Sequence, residues 1–165
     1  MFLSTTLLFD FTENSNMGSW YVVNDTVMGG RSNSALNLNQ DGHAVFSGFV
    51  TTANNGGFAS IRHRCDIQDI EDKNSVLIHL KGDGKPYQLR FKKDRNDYFS
   101  YIYTFETSGK WERVEIPVNE MYASYRGRTL NKPNFNGNSI EEISILIGNK
   151  KNQEFQLIID KIEMR

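Results

Sequence analysis

Two stretches decide the fold of this chain: Trp20-Tyr-Val-Val-Asn-Asp25-Thr-Val-Met28-Gly-Gly-Arg31-Ser32 and Asn54-Asn-Gly-Gly-Phe-Ala-Ser-Ile-Arg62. Each stretch places a pair of glycines beside polar and aromatic residues, next to a run that has the composition of a strand. Glycine adopts backbone conformations, and permits close approaches, that residues with a Cβ atom do not. Each glycine pair therefore predicts a sharp turn or a tight contact between two segments of the chain.

Outside these stretches, apolar and polar residues alternate in short segments separated by turn residues such as Gly82-Asp-Gly84. Alternation with period two is typical of half-buried strands. The predicted strands are Leu7–Phe11, Ser34–Leu38, Ala44–Thr51, Gly57–Cys65, Ser75–Lys81, Tyr87–Lys93, Tyr98–Glu106, Trp111–Ile116, Ile143–Ile147 and Phe155–Ile162. One short helix is predicted around Val118–Tyr122. Regularly spaced short strands predict an all-β protein, an antiparallel β-sandwich of jelly-roll type formed by a single domain over residues 1–165.

Several further fragments follow the two glycine-rich stretches in a characteristic order. They are Phe46-Ser-Gly48, Lys85-Pro-Tyr87, Trp111 leading to Ile116-Pro117, Tyr125-Arg126-Gly127-Arg128, and Glu154-Phe155 leading to Ile159-Asp160-Lys161-Ile162. Together they resemble the complex I intermediate-associated protein 30 family over most of the chain. The resemblance implies a galactose-binding-like β-sandwich. It also implies a non-catalytic, chaperone-like assembly factor whose protein partners are assembly intermediates of respiratory complex I.

Composition and charge limit the classes of function. The chain has 165 residues, a formal net charge of −1 and one cysteine. A near-neutral chain has no overall field that attracts nucleic acid, so nucleic-acid binding is not expected. No apolar run reaches the roughly 20 residues of a membrane-spanning helix. The apolar start lacks a basic region and a cleavage site, and a single cysteine forms no internal disulfide; we expect a cytoplasmic protein.

The first stretch offers a candidate binding site made of Asp25, Met28, Gly29, Gly30 and Ser32. These residues could form the polar lip of a pocket that reaches a ligand hydroxyl or a partner backbone. The alternative is structural: the Asp25 side chain caps a turn that the glycine pair completes.

The second stretch has the same two interpretations. Asn55, Gly56 and Gly57 could line the same rim as Asp25 with amide groups and exposed backbone. Asn and Gly also tolerate positive φ, so the same residues are typical of a plain turn before a strand.

Alternation also predicts a cationic surface. Arg90 lies opposite Phe91 in the strand pattern, and the same argument predicts that Trp111 shares one non-core face with Arg90 and Arg62. Guanidinium groups bind carboxylate or phosphate, and Trp stacks on rings. A solvated outer face is the alternative. Arg126 and Arg128 belong to a basic stretch over residues 123–138 that is predicted to be irregular, and we predict that it forms a second part of the binding rim.

Catalysis and metal binding have little support in the sequence. No nucleophile–base pair, zinc spacing or phosphate loop is recognisable, so we expect no enzyme activity and no cofactor. Related folds often hold a structural Ca²⁺, for which Asp10 and Asp160 are the two candidates. A second hypothesis for function is a carbohydrate-binding module in which Trp111, Asp25 and Asn55 contact a glycan.

Overall fold

The computed structural model describes residues 5–13 and 17–165, without the side chains of Val27, Met28 and Asn55. Nearly all regular structure in these residues is β-strand. The strands are β1 Thr6–Asp10, β2 Trp20–Asn24, β3 Asn33–Leu38, β4 Ala44–Val50, β5 Ala59–Ile67, β6 Ser75–Lys81, β7 Tyr87–Lys92, β8 Ser100–Phe105, β9 Trp111–Pro117, β10 Tyr122–Tyr125, β11 Arg128–Thr129, β12 Ile140–Ile147 and β13 Gln153–Met164. Short 3₁₀ turns occupy Met17–Ser19, Asp25–Met28, Ala53–Asn55 and Val118–Glu120.

The strands form two antiparallel sheets. The six-stranded sheet has the order β3-β4-β13-β6-β9, with β1 paired to the second half of β13. The seven-stranded sheet has the order β11-β10-β8-β7-β12-β5-β2. Because most neighbours in each sheet are distant in sequence, the chain passes repeatedly between the two layers. The prediction of an antiparallel sandwich of jelly-roll, galactose-binding-like type is confirmed.

The core lies between the two sheets, where alternate side chains of each strand meet. Phe46 and Leu157 of the six-stranded sheet and Leu89 and Phe91 of the seven-stranded sheet are fully buried. Burial of each such side chain contributes about 1.5–3 kcal/mol to the free energy of folding. The predicted faces of β7 are confirmed, because Tyr87, Leu89 and Phe91 are buried while their neighbours are partly exposed.

Two parts of the sequence-based assignment are corrected. Strand β2 is missing from the predicted strands. Its Trp-Tyr-Val-Val run has the composition of a strand but not the alternation that marks a half-buried one. The stretch over residues 123–138 is not a single loop. Its first part is a hairpin in which Tyr125 pairs with Arg128, and Arg126 and Gly127 both have positive φ, as a type I′ turn requires.

The rest of that stretch is anchored to the core. The Phe135 ring is 3% exposed and lies edge-on to the rings of Phe91 and Tyr101, at centroid distances of 5.5 and 5.3 Å. Its backbone N–H donates to the carbonyl of Met121. The helix predicted near Val118 is a single 3₁₀ turn. Within residues 5–13 and 17–165, no helix has the length and apolar character needed to cross a membrane.

The burial difference between two aromatic side chains gives the first prediction. Phe91→Ala should lower the free energy of unfolding by about 3–5 kcal/mol, because it deletes a fully buried ring. Trp111→Ala removes a larger ring that is 47% exposed, and should cost less than about 1 kcal/mol. Urea denaturation of both variants measures the difference. Similar costs for the two would contradict the described faces.

Candidate binding groove

A row of polar side chains crosses the outer face of the seven-stranded sheet. Arg90 of β7 pairs in register with Ser144 of β12, which pairs with Arg62 of β5, which pairs with Tyr21 of β2. Residues paired directly across antiparallel strands point to the same face of a sheet. The neighbouring Phe91 and Ile143 point into the core. The row therefore brings two of the predicted residues, Arg62 and Arg90, to one surface.

This surface is a groove of about 570 Å³. Its floor is the outer face of β5, β7 and β12, with Ser60 and Gln88 beside the row of Arg90, Ser144 and Arg62. One rim is the turn Gly56–Phe58, and the other is the Tyr125–Gly127 hairpin together with Tyr98. We call this surface the groove.

The groove is cationic although the chain has a net charge of −1. Its lining includes five cationic side chains and two carboxylates. The cationic side chains are Arg62, Arg90, Lys92, Arg126 and Lys150. The carboxylates belong to Asp25 and Glu142, and both accept hydrogen bonds from other parts of the chain. Five cationic side chains against two carboxylates give the groove an excess of positive charge.

The two floor arginines have no carboxylate partner among the described residues. Arg90 Nε and Nη2 donate to Gln88 Oε1 at 3.0 and 2.7 Å, and Gln88 is neutral. Burial, and then the charge of Arg62, lower the pKa of Arg90 to about 10. The guanidinium remains protonated at neutral pH, but its charged form is less favourable than in water. An anion placed between the two guanidiniums would relieve that cost.

Glu142 is held at the side of this pair. Glu142 is 6% exposed, and its Oε1 atom accepts a hydrogen bond from the Tyr21 hydroxyl at 2.9 Å. Burial, followed by that hydrogen bond to Glu142, raises the pKa of Tyr21. The Arg64 guanidinium lies over the Tyr21 ring, 5.0 Å from its centroid. The Tyr21 hydroxyl thus fixes the position of the second carboxylate of the groove, that of Glu142.

Asp25 forms a clamp behind the groove rim. Its residue is 1% exposed, and Oδ1 accepts the Ser32 N–H at 2.9 Å. Oδ2 accepts the Ser32 hydroxyl and the N–H groups of Gly57 and Phe58. The Ser32 hydroxyl also accepts the Thr51 N–H at 3.0 Å. One carboxylate thereby joins the turn after β2, the start of β3, the end of β4 and the start of β5.

The electrostatics of Asp25 agree with this structural role. Burial by itself would raise the pKa of the carboxyl. The hydrogen bonds from the Ser32 hydroxyl and from the N–H groups of Gly57, Ser32 and Phe58 outweigh burial, so the pKa lies below its ordinary value. A carboxylate with four internal donors is occupied. The structural interpretation of Asp25 is therefore the one that the geometry supports.

The two glycine pairs fit around this carboxylate. Gly29 and Gly57 have φ values of +87° and +138°, which residues with a side chain rarely adopt. Gly56 has an ordinary φ of −76°, but a Cβ on it would lie 2.5 Å from Asp25 Oδ2. A Cβ on Gly30 would collide with Asp25 Cγ and Oδ1. In each pair one glycine supplies a backbone conformation and the other supplies space.

The structure distributes the predicted residues over three places. Asp25, Gly56, Gly57, Arg62, Arg90 and Arg126 line the groove. Gly29, Gly30 and Ser32 belong to the Asp25 clamp without lining the groove, and Arg128 lies on β11 at the edge of the sheet. The side chains of Met28 and Asn55 lie outside the described residues.

Trp111 does not share a surface with Arg62 and Arg90, and that part of the prediction is wrong. It lies on β9 of the six-stranded sheet, paired with Lys81, and its ring packs on His43 at a centroid distance of 4.8 Å. Alternation correctly placed Trp111 away from the core. It could not say which of two sheets the strand joins, because pairing depends on contacts distant in sequence.

Several groove residues were missed. Glu142 and Ser144 interrupt the apolar strand β12, and a polar residue within such a run was the available signal. Tyr21 lay in the unrecognised strand β2. Tyr98 and Tyr125 form an edge-on pair with centroids 5.2 Å apart, and no sequence pattern links two residues that distant.

The calcium candidates do not make a suitable site. Asp10 and Asp160 lie on the adjacent strands β1 and β13, and Asp160 Oδ1 is 3.6 Å from His43 Nε2. Calcium takes six to eight oxygen ligands. In the part of the chain that the structure describes, no three His, Cys, Asp or Glu side chains converge. The donor set at Asp10 and Asp160 therefore does not fit a structural Ca²⁺.

A second hollow of about 530 Å³ lies beside β4 and β13. Its charged side chains are those of Glu154, Asp83 and Lys85. Lys85 Nζ is 3.2 Å from Asp83 Oδ2, which also accepts the Gln156 N–H. The cationic side chain that lines this hollow is therefore paired with a carboxylate of the chain, unlike the arginines of the groove floor. The groove is the stronger candidate site.

Comparison with known proteins confirms the resemblance seen in the sequence. Residues 9–159 match the family model of complex I intermediate-associated protein 30. A mouse (Mus musculus) protein, complex I intermediate-associated protein 30, mitochondrial, is 22% identical over 144 residues, which cover 74% of this chain and 44% of the mouse protein. The chain thus spans less than half the length of this curated relative.

Solved structures with the same fold are carbohydrate-binding modules and enzymes that contain such domains. The family 11 module of the cellulase Lic26A-Cel5E of Clostridium thermocellum has a TM-score of 0.69 at 15% identity, covering 99% of this chain and 95% of the module. The Clostridium thermocellum module in complex with a β-1,3-1,4-mixed-linked tetrasaccharide has a TM-score of 0.68 at 15% identity, covering 97% and 94%. An agarase has a TM-score of 0.67 at 10% identity, covering 98% of this chain and 24% of the agarase. Identities this low establish a shared fold and no more.

The clamp predicts a different cost for two Gly→Ala substitutions. Gly56→Ala should destabilise the protein by about 1–3 kcal/mol, because its Cβ must displace the Asp25 carboxylate or the Gly30 backbone. Gly109→Ala is the matched control: its Cβ meets nothing within 4 Å, and the change should stay within about 0.5 kcal/mol. Thermal and urea unfolding measure both. Equal stabilities would show that the Asp25 site is not tightly packed.

Proposed function

The chain belongs to the complex I intermediate-associated protein 30 family, and from this premise we propose that it is a non-catalytic binding domain that holds a partner protein in the groove. The observation that carries the proposal is the pair of floor arginines without a carboxylate partner among the described residues. Charged groups in a sheet face are ordinarily either solvated or paired internally. Here two of them lie together in the floor of a groove.

Family membership favours a protein as the partner. The family description and the name of the mouse relative both refer to association with an intermediate of complex I. For this chain we propose the corresponding role, in which the groove contacts an assembly intermediate of a respiratory complex. The proposal is kept to the binding step, since the chain matches less than half of the mouse protein.

The states of the reactive side chains favour binding over catalysis. Burial raises the pKa of the Cys65 thiol to about 12, so the nucleophilic thiolate is scarce at neutral pH. His63 lies against the Trp20 ring, outside the groove lining, and burial lowers its pKa. Glu142 is hydrogen-bonded to Tyr21. We propose that these groups stabilise the fold and the groove and do not turn over a substrate.

Glycan binding is the second candidate function. The observation in its favour is the Tyr98–Tyr125 pair at the groove rim, where Tyr98 is 59% exposed and offers a ring on which a sugar could stack. The fold shared with carbohydrate-binding modules adds weight. Against it, the floor presents guanidinium groups where a neutral sugar would need flat aromatic surface.

Blocking the groove sterically tests the proposed function. Ser100→Trp places a bulky neutral side chain on β8 inside the groove. Ser47→Trp makes the same change on β4 of the other sheet and serves as control. We expect the wild type and Ser47→Trp to retain one and the same partner from the native cell by crosslinking and mass spectrometry. Ser100→Trp should recover at least tenfold less.

Folding of both variants is checked by thermal unfolding, so that loss of capture is separated from loss of structure. Retention of the partner by Ser100→Trp, or equal loss in both variants, would contradict binding in the groove. Calorimetric titration of the wild type with neutral β-glucan oligosaccharides decides the second candidate: saturable binding that Ser100→Trp abolishes, without a protein partner, would favour the glycan.

A further inference from the structure

The arrangement of the floor suggests which chemical group the groove receives. Arg90, Ser144 and Arg62 occupy consecutive positions across β7, β12 and β5. Neighbouring strands are about 4.8 Å apart, so the two arginine backbones are separated by roughly 10 Å. The small Ser144 side chain lies between two long ones on the same face. This leaves a hollow with a guanidinium group on each side.

The donors around this hollow are available. Within the described residues, the Arg62 side chain makes no hydrogen bond or ion pair, and the Arg90 side chain donates only to the neutral Gln88. The Ser144 hydroxyl also lacks a hydrogen-bond partner within the described chain, although the residue is 4% exposed. Burial and the neighbouring Arg62 charge make the protonated state of Arg90 less favourable than in water. Two guanidinium groups without an anionic partner and one free hydroxyl thus belong to neighbouring positions on one face of the sheet.

Some arginines and lysines elsewhere in the described residues form ion pairs with carboxylates of the chain. Lys85 is 3.2 Å from Asp83, Arg165 is 3.2 Å from Glu115, and Arg95 is 3.7 Å from Glu141. The two floor arginines form no such ion pair with any described residue. The Glu142 carboxylate accepts a hydrogen bond from Tyr21, and the Asp25 carboxylate accepts hydrogen bonds from internal donors. A planar guanidinium fork matches the two oxygens of a carboxylate.

We propose that Arg62 and Arg90, with the Ser144 hydroxyl between them, form a binding site for a carboxylate, and that this carboxylate is an acidic side chain of the partner protein. The inference rests on the proposed function and specifies the chemistry of its ligand. Lys92, Arg126 and Lys150 add further positive charge along the same groove. A segment with several acidic residues, and apolar groups for Tyr98 and Tyr125, fits these features.

Binding of defined peptides tests the carboxylate site. The probes are hexaglutamate, the neutral hexaglutamine and trigalacturonate, each titrated calorimetrically into the full chain at low salt. We expect hexaglutamate to bind, hexaglutamine not to bind, and the affinity for hexaglutamate to fall as ionic strength rises. The Nε–Hε signals of Arg62 and Arg90 should shift in NMR spectra during the same titration.

Single variants then locate the binding. Arg62→Gln and Arg90→Gln should each weaken hexaglutamate binding at least tenfold. Arg90→Lys, which keeps the charge without the fork, should lie between Arg90→Gln and the wild type. Arg113→Gln removes an exposed arginine of β9, in the six-stranded sheet, and should change the affinity less than twofold. The variants' melting temperatures verify that each is folded.

Two results would overturn the inference. One is hexaglutamate binding that Arg62→Gln and Arg90→Gln leave unchanged. The other is trigalacturonate binding that is tighter than hexaglutamate binding and is lost in the same variants, which would make the ligand an acidic sugar. The two proposals fail separately. If Arg62→Gln and Arg90→Gln still capture the partner that Ser100→Trp loses, the carboxylate site is wrong and the proposed function stands.

Discussion

The buried carboxylate of Asp25 is the interaction on which the groove depends. It satisfies two backbone N–H groups at the start of β5 and both the N–H and the hydroxyl of Ser32. A buried N–H without an acceptor costs about 1–3 kcal/mol, so a turn with several such groups needs a strong acceptor close by. By meeting this need at one point, Asp25 fixes the position of the Gly56–Phe58 rim relative to the groove floor.

The charged side chains around the groove have two different roles: the carboxylates hold the structure together, and the cationic groups face the groove. Asp25 borders the groove, but its carboxylate accepts hydrogen bonds from internal donors. The Glu142 carboxylate likewise accepts one from the Tyr21 hydroxyl. Neither of the two carboxylates that line the groove forms an ion pair with Arg62 or Arg90. A chain of almost neutral net charge can in this way present a cationic groove, because charge is distributed by local hydrogen bonding.

Much of the fold could be predicted from the sequence, because alternation is a local property. It separates Phe91 from Arg90 without knowledge of any partner strand, and it places Arg62 and Trp111 away from the core. Alternation does not show which strands pair with each other. Trp111 lies in the other sheet, and Ser144 lies between the two arginines, because of strand pairings between segments distant in sequence. The glycine pairs predicted turns, but the reason for two pairs, one carboxylate between them, appears only in three dimensions.

The most direct test of the clamp is the titration of Asp25 itself, followed by the ¹³C signal of its carboxyl carbon in NMR spectra. The account predicts a pKa below the ordinary value of about 3.9, with the amide signals of Ser32, Gly57 and Phe58 changing over the same pH range. Because the folded-state pKa is lowered, the stability contributed by Asp25 is present above the unfolded value and is lost as pH falls through the folded one. An Asp25 pKa at or above about 3.9, or amide signals that do not follow the carboxyl, would contradict the account.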